Sequence, residues 1–236
     1  SFPTRRSSDL RHILLEGQAC HVLHLARWIG GANPREDEHS AIDQRVAQSL
    51  QAVSQQVARL RLAGGELGVE PGGVHSHQDH GAALAKHLSD AGIKTVRVAV
   101  HCTEADCGQQ PIEWAKEQGL NVMTFLMMSH KLEPEPLAEQ AAKLDSYGAD
   151  VVYVVDSAGA MVPQHAGDRV AALRQAISAD IGFHAHNNLG VGIANALTAA
   201  ENGATFIDGS LRGLGASAGN AQTEVLAAAF ERAGWD

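Results

Sequence analysis

VVYVVDSAGAMVPQHAGDRVAALRQAISADIGFHAHNN, residues 151–188, is the stretch whose reading decides the fold. Val151–Asp156 and Ile181–His186 are short, β-rich and almost continuously apolar, as strands covered on both faces must be. Between them Asp168–Ser178 carries a helical period. The stretch therefore reads as strand, helix, strand. The same plan continues outward in both directions. Thr95–His101, Val122–Met127 and Thr205–Ser210 are further strand runs. Glu113–Gln118, Pro136–Tyr147, Val191–Asn202 and Ala221–Ala233 are helical stretches, and Gly119, Gly148 and Gly203 stand where helix ends belong. Repeats of roughly 24–30 residues in this order imply parallel strands joined by right-handed crossovers. A doubly wound sheet and a closed (β/α)8 TIM barrel both fit this α/β pattern. A barrel needs about eight units, and residues 90–236 supply about five, so the expected fold on the barrel reading is an incomplete one.

The N-terminal part follows no such plan. Residues 1–10, SFPTRRSSDL, resemble the translation of a sequencing-library adapter and are set aside from the fold reading. Residues 11–89 form an unmatched loop and helix segment, of the kind a shifted reading frame produces. Arg35–Arg61 is polar and helical in period, Gly64–Gly73 is glycine-rich, and Gly81–Ala91 reads as a helix leading into the first clear strand. A net charge of −9 without a basic patch argues against nucleic acid and anionic membrane surfaces as partners. No apolar run approaches the roughly 20 residues of a membrane span. Cys20, Cys102 and Cys107 have no disulfide-framework spacing, so a reducing, cytoplasmic setting is expected.

Chemistry concentrates at the strand ends. His184 and His186 are two apart on a strand, so both imidazoles face one side at its C-terminal end. Paired neutral imidazoles suit a divalent ion completed by a carboxylate; strand-end histidines that merely hydrogen-bond to loops are the alternative. Asp156 and Ser157, beside Gly159, either position a small polar substrate or make an ordinary Asx or Ser turn. The Gly213–Asn220 loop lets backbone N–H groups approach a ligand or simply turns the chain. His101, Glu104 and Asp106 follow another strand and are further possible ligands. One motif competes: His75, His77, Asp79 and His80 have the H-x-H-x-D-H spacing of metallo-β-lactamase-fold hydrolases.

HCTEAD (101–106), FLMMSH (125–130), VVDSAGAMV (154–162), HAHNNLGVGIANA (184–196) and GLGASAGNA (213–221) occur in this order. Together they resemble the 4-hydroxy-2-oxovalerate aldolase family, over residues 90–236. The first two motifs favour it over acyl-CoA-condensing relatives in the same pyruvate-carboxyltransferase and HMG-CoA-lyase-like barrel superfamily. The resemblance implies a lyase that cleaves 4-hydroxy-2-oxovalerate to pyruvate and acetaldehyde in aromatic-compound catabolism. It implies Mn²⁺ as the usual ion and an acylating acetaldehyde dehydrogenase as partner. It assigns His184 and His186 to the metal, His184 and Ser157 to the substrate, and Asn220, more weakly, to the metal's surroundings. The family also opens its barrel with a TLRDG strand end carrying a metal-binding aspartate and an enolate-stabilising arginine, with a catalytic histidine after it. It continues beyond the barrel into a region bearing a substrate-contacting tyrosine. This sequence has no TLRDG-like segment and stops at Asp236. The expectation is therefore a truncated form with the catalytic base unassigned and little or no aldolase activity.

Overall fold

The computed structural model describes residues 12–15 and 78–235. Six parallel strands make one sheet, in the order β1-β6-β5-β4-β3-β2. They are β1 His12–Leu15, β2 Thr95–His101, β3 Asn121–Met127, β4 Val151–Asp156, β5 Asp180–Ala185 and β6 Phe206–Gly209. The helices are α1 Gln78–Asp90, α2 Gln109–Glu117, α3 Pro134–Ser146, α4 Pro163–Ala176, α5 Gly192–Glu201 and α6 Thr223–Arg232. From β2 to β6 each strand pairs with the next along the chain, as strand–helix repetition demands.

The five strands expected from apolar runs are present, within a residue or so of their expected bounds. A sixth is added. Residues 11–89 were read as a loop and helix segment that does not supply the barrel's three missing strands; within it, His12–Leu15 pairs in parallel with β6, His12 opposite Phe206 and Leu15 opposite Gly209. Four residues are too few to show a period, and their partner among the described residues lies far away in sequence. First strand against last is the pairing that closes a barrel, so the incomplete (β/α)8 reading holds over the doubly wound one. Helix α4 begins at Pro163 rather than near Asp168, because proline at the first helical position fixes φ and needs no donor there. Its burial begins only at Ala166, which is why the apolar period understated its length. Residues 16–77, which include His75 and His77, lie outside the described residues. Gln78 opens α1, so Asp79 and His80 fall on its first turn. Among the described residues no helix is long and apolar enough to cross a membrane.

The main core lies between the sheet and its helices. Val152, Val154, Ile181, Phe183 and Ile207 from the strands meet Leu137, Leu144, Val170, Leu173 and Leu226 from the helices. The opposite face of the sheet holds a second cluster of Phe125, Val151, Tyr153, Val155 and Phe206. Phe125 and Tyr153 stack there with centroids 4.4 Å apart. On that face Arg97 of β2 reaches Asp208 of β6, at 2.9 and 3.0 Å through both guanidinium amino groups. Three strands separate β2 from β6 in the sheet. A flat sheet with strands about 4.8 Å apart would hold them too far apart for such a contact; the sheet is curled like a barrel wall.

Gly182 makes room for the Tyr153 ring. A Cβ at position 182 would lie 2.5 Å from three of its ring atoms. Gly182→Ala is therefore expected to destabilise the chain by about 1–3 kcal/mol, the usual range for overpacking. Urea denaturation followed by circular dichroism checks this, and an unchanged midpoint would contradict it.

Candidate functional site

His184 lies one residue before the end of β5, nearly buried at 3% exposure. His186 follows just beyond the strand, in a bridge to Asn220. Their ring centroids are 5.1 Å apart and their planes cross at 86°, so the i, i+2 spacing does bring the imidazoles together. Each ring is anchored through Nδ1. That of His184 lies 3.0 Å from Asp208 Oδ2; that of His186 lies 2.8 Å from the Ser157 carbonyl oxygen. A carbonyl or carboxylate oxygen only accepts, so both Nδ1 atoms carry the proton. In the neutral rings the lone pair then sits on Nε2. A histidine whose Nδ1–H is held by a carboxylate or a backbone carbonyl is the usual form of a metal-ligating histidine. On this donor chemistry the pair fits a divalent ion, with Nε2 of each as the binding atom. Among the described residues no group of three or more His, Cys, Asp or Glu is placed to hold an ion.

Ser157 is joined to the pair through its own carbonyl. Its hydroxyl accepts from the Met128 N–H at 2.9 Å, which leaves its proton to donate elsewhere. Met128 adopts left-handed backbone, φ 61°, to present that N–H. Asp156 has a different task. It is fully buried and accepts from the N–H groups of Ala160 and Met161 at 3.0 and 2.9 Å, so of its two readings the turn prevails over direct substrate binding. Asn187 and Asn188 are also loop organisers. Asn187 accepts from the Gly192 N–H at the start of α5, and Asn188 links Ala158 to Ala218.

The Gly213–Asn220 loop packs onto the histidines. The Asn187 N–H donates to the Gly219 carbonyl at 2.8 Å, and Asn220 is 4% exposed beneath Gly215. A Cβ on Gly215 would stand 2.5–2.7 Å from the Asn220 amide group. The loop glycines thus let Asn220 lie beside His186. The structure does not bring Glu104 or Asp106 into a ligand cluster: both are exposed, and Asp106 lies 3.6 Å from Lys143. His101 bonds Thr103 at 2.7 Å.

Asp208 and Arg97 were not singled out in the sequence, and the structure joins them to the site. Asp208 is 2% exposed and touches both His184 and Arg97. The Arg97 guanidinium lies over Phe125 at 4.7 Å and Tyr153 at 5.5 Å. Burial, and then the negative charge of Asp208, push the Tyr153 phenol well above its ordinary pKa, so this hydroxyl stays protonated. The signal was available: Arg97 and Asp208 each interrupt an otherwise apolar strand run, TVRVAVH and TFIDGS.

A family model described as HMGL-like matches residues 89–236. Among the curated proteins similar to this chain, 4-hydroxy-2-oxovalerate aldolase 2 of Rhodococcus opacus is 97% identical over 155 residues, which is 66% of this chain and 44% of that protein. A 4-hydroxy-2-oxovalerate aldolase of Chloroflexus aurantiacus is 56% identical over 162 residues, covering 69% of this chain and 46% of its own length. The chain thus spans under half the length of these curated relatives. Among solved structures, the carboxyl transferase domain of Rhizobium etli pyruvate carboxylase superposes with a TM-score of 0.62 at 20% identity, covering 69% of this chain and 29% of that one. That likeness concerns the fold alone.

Proposed function

Because this chain belongs to the HMGL-like family, we propose that it is a segment of a divalent-metal-dependent aldolase that cleaves 4-hydroxy-2-oxovalerate to pyruvate and acetaldehyde. The observation that carries this reading is the histidine pair, each ring anchored at Nδ1 so that Nε2 is its binding atom. The names of its relatives favour the aldolase over an acyl-CoA-condensing enzyme. The hydrolase reading of His75, His77, Asp79 and His80 has no support: the matched family is HMGL-like, the curated relatives are aldolases, and the described strands all pair in parallel.

In this reading His184 and His186 hold the ion, Mn²⁺ being the expected one. Bound there, it supplies Lewis-acid polarisation of the substrate's 2-oxo group. His184 lies beside the substrate as well. The Ser157 hydroxyl, which accepts from Met128, donates its proton to the keto acid. Asn220 shapes the far side of the histidines. In the reaction a base takes the proton of the C4 hydroxyl, the C3–C4 bond breaks, acetaldehyde leaves, and the pyruvate enolate is protonated at C3. The base belongs with the TLRDG-type segment that this sequence lacks. Acetaldehyde passing to an acylating dehydrogenase, within aromatic-compound catabolism in the cytoplasm, completes the proposal.

The test is to load residues 1–236 with Mn²⁺ and follow pyruvate release from 4-hydroxy-2-oxovalerate with lactate dehydrogenase, while oxalate, an enolate mimic, is titrated against the Mn²⁺ resonance. Oxalate is expected to perturb the resonance. Turnover is expected to be at least about 10²–10³-fold below that of a full-length relative, the usual cost of one missing charge-stabilising donor. Pyruvate release insensitive to chelator, or a resonance that ignores oxalate, would overturn the reading.

A further inference from the structure

We propose that Asp208 and Arg97 are positioning residues that lock His184 in its Nδ1–H tautomer and thereby set the metal affinity of the histidine pair. The inference rests on the metal reading above and concerns residues outside the histidine motif. Three contacts make the chain of restraint. His184 donates to Asp208 Oδ2 at 3.0 Å. Arg97 Nη1 donates to the same oxygen at 2.9 Å, and Nη2 donates to Oδ1 at 3.0 Å. The fork holds the carboxylate plane, and the carboxylate in turn holds the imidazole plane. Bidentate arginine–carboxylate pairing fixes orientation as well as distance. Arg97 is itself confined over the stacked Phe125 and Tyr153 rings. Asp208 side-chain exposure is 1%, so water does not replace a lost partner easily.

The chemical consequence lies on the other nitrogen. A neutral imidazole has one N–H. With the proton held at Nδ1, Nε2 presents a lone pair; with the proton at Nε2, that atom cannot bind an ion. Neutral histidine in water favours the Nε2–H form, so His184 without Asp208 relaxes toward the tautomer that does not ligate there. Outer partners of this kind typically contribute 10–100-fold in metal affinity. His186 has an independent anchor in the Ser157 carbonyl and does not share the dependence.

The experiment uses the full chain with ¹⁵N-labelled histidine, free of metal, at about pH 8, where unperturbed imidazole is neutral. Long-range ¹⁵N–¹H spectra report the tautomer of each ring. In the unsubstituted chain His184 and His186 are both expected as Nδ1–H. In Asp208→Ala, His184 is expected to shift to Nε2–H or to a mixture, while His186 stays as it was. A purely structural defect would disturb both rings or neither. Mn²⁺ titration by electron paramagnetic resonance is expected to show a 10–100-fold weaker dissociation constant in Asp208→Ala. Asp208→Asn is the near-isosteric second variant should alanine not fold. Its amide must oppose one N–H of Arg97 or turn its own N–H toward His184, so a mixed tautomer is expected. An Nε2–H ring at His184 in the unsubstituted chain, or unchanged tautomer and affinity in both variants, overturns the proposal. Nδ1–H at both rings with no Mn²⁺ binding would sink the metal reading and leave the tautomer lock standing.

Discussion

Replacing His186 by alanine is expected to lower Mn²⁺ affinity by more than about 100-fold, beyond the range for losing an outer partner, while leaving the fold in place. His186 is half-buried and lies just past the end of β5. Its Nδ1 hydrogen bond goes to the Ser157 carbonyl, which sits in an accessible loop. Truncation there removes a proposed ligand without opening the core. His184→Ala should cost at least as much affinity and some stability too, because His184 is nearly buried against Asp208. Removal would leave the carboxylate held by the Arg97 guanidinium. Mn²⁺ titration with a parallel thermal melt separates the two effects. Affinity unchanged in both variants would show that the histidines are loop anchors only.

Arg97→Met should be the most destabilising single change on the concave face of the sheet. It leaves Asp208 buried without its cation, and removal of one partner from a buried ion pair typically costs 3–5 kcal/mol. The Arg97 side chain keeps 34% of its surface exposed, so the expected loss is on the order of 3 kcal/mol, the lower end of that range. For a chain of this size the melting temperature should fall by roughly 6–12 °C. The double change Arg97→Met with Asp208→Leu should recover much of the loss, since a well-packed apolar pair often matches a buried ion pair. A single variant as stable as the unsubstituted chain would mean that water reaches Asp208 and solvates it.

The helices and strands were legible because parallel strands covered on both faces are apolar throughout and their crossover helices are amphipathic. Val151–Asp156 and Thr95–His101 appear at their expected bounds for that reason. The glycine stops at 119, 148 and 203 were legible too, and all three have positive φ, the conformation in which glycine ends a helix cheaply. The histidine pair followed from strand alternation alone. His12–Leu15 was not legible, because a four-residue strand carries no period and its pairing with β6 is a long-range event. Asp156 illustrates the converse: a carboxylate at a strand end suggested substrate, and its two short bonds to Ala160 and Met161 make it part of the turn.

By itself, then, the sequence determined what local physics controls: the order of β/α units, the helix stops, and two imidazoles on one side of a strand end. Tertiary structure alone decided which residues complete their surroundings. Arg97 and Asp208 are 111 positions apart in the chain, and nothing local relates them. They meet because the sheet curls, which brings β2 across from β6 and places one carboxylate between a guanidinium and an imidazole. Curvature is a property of strands packed together and is written in no single strand, so the partners of His184 became visible only in three dimensions.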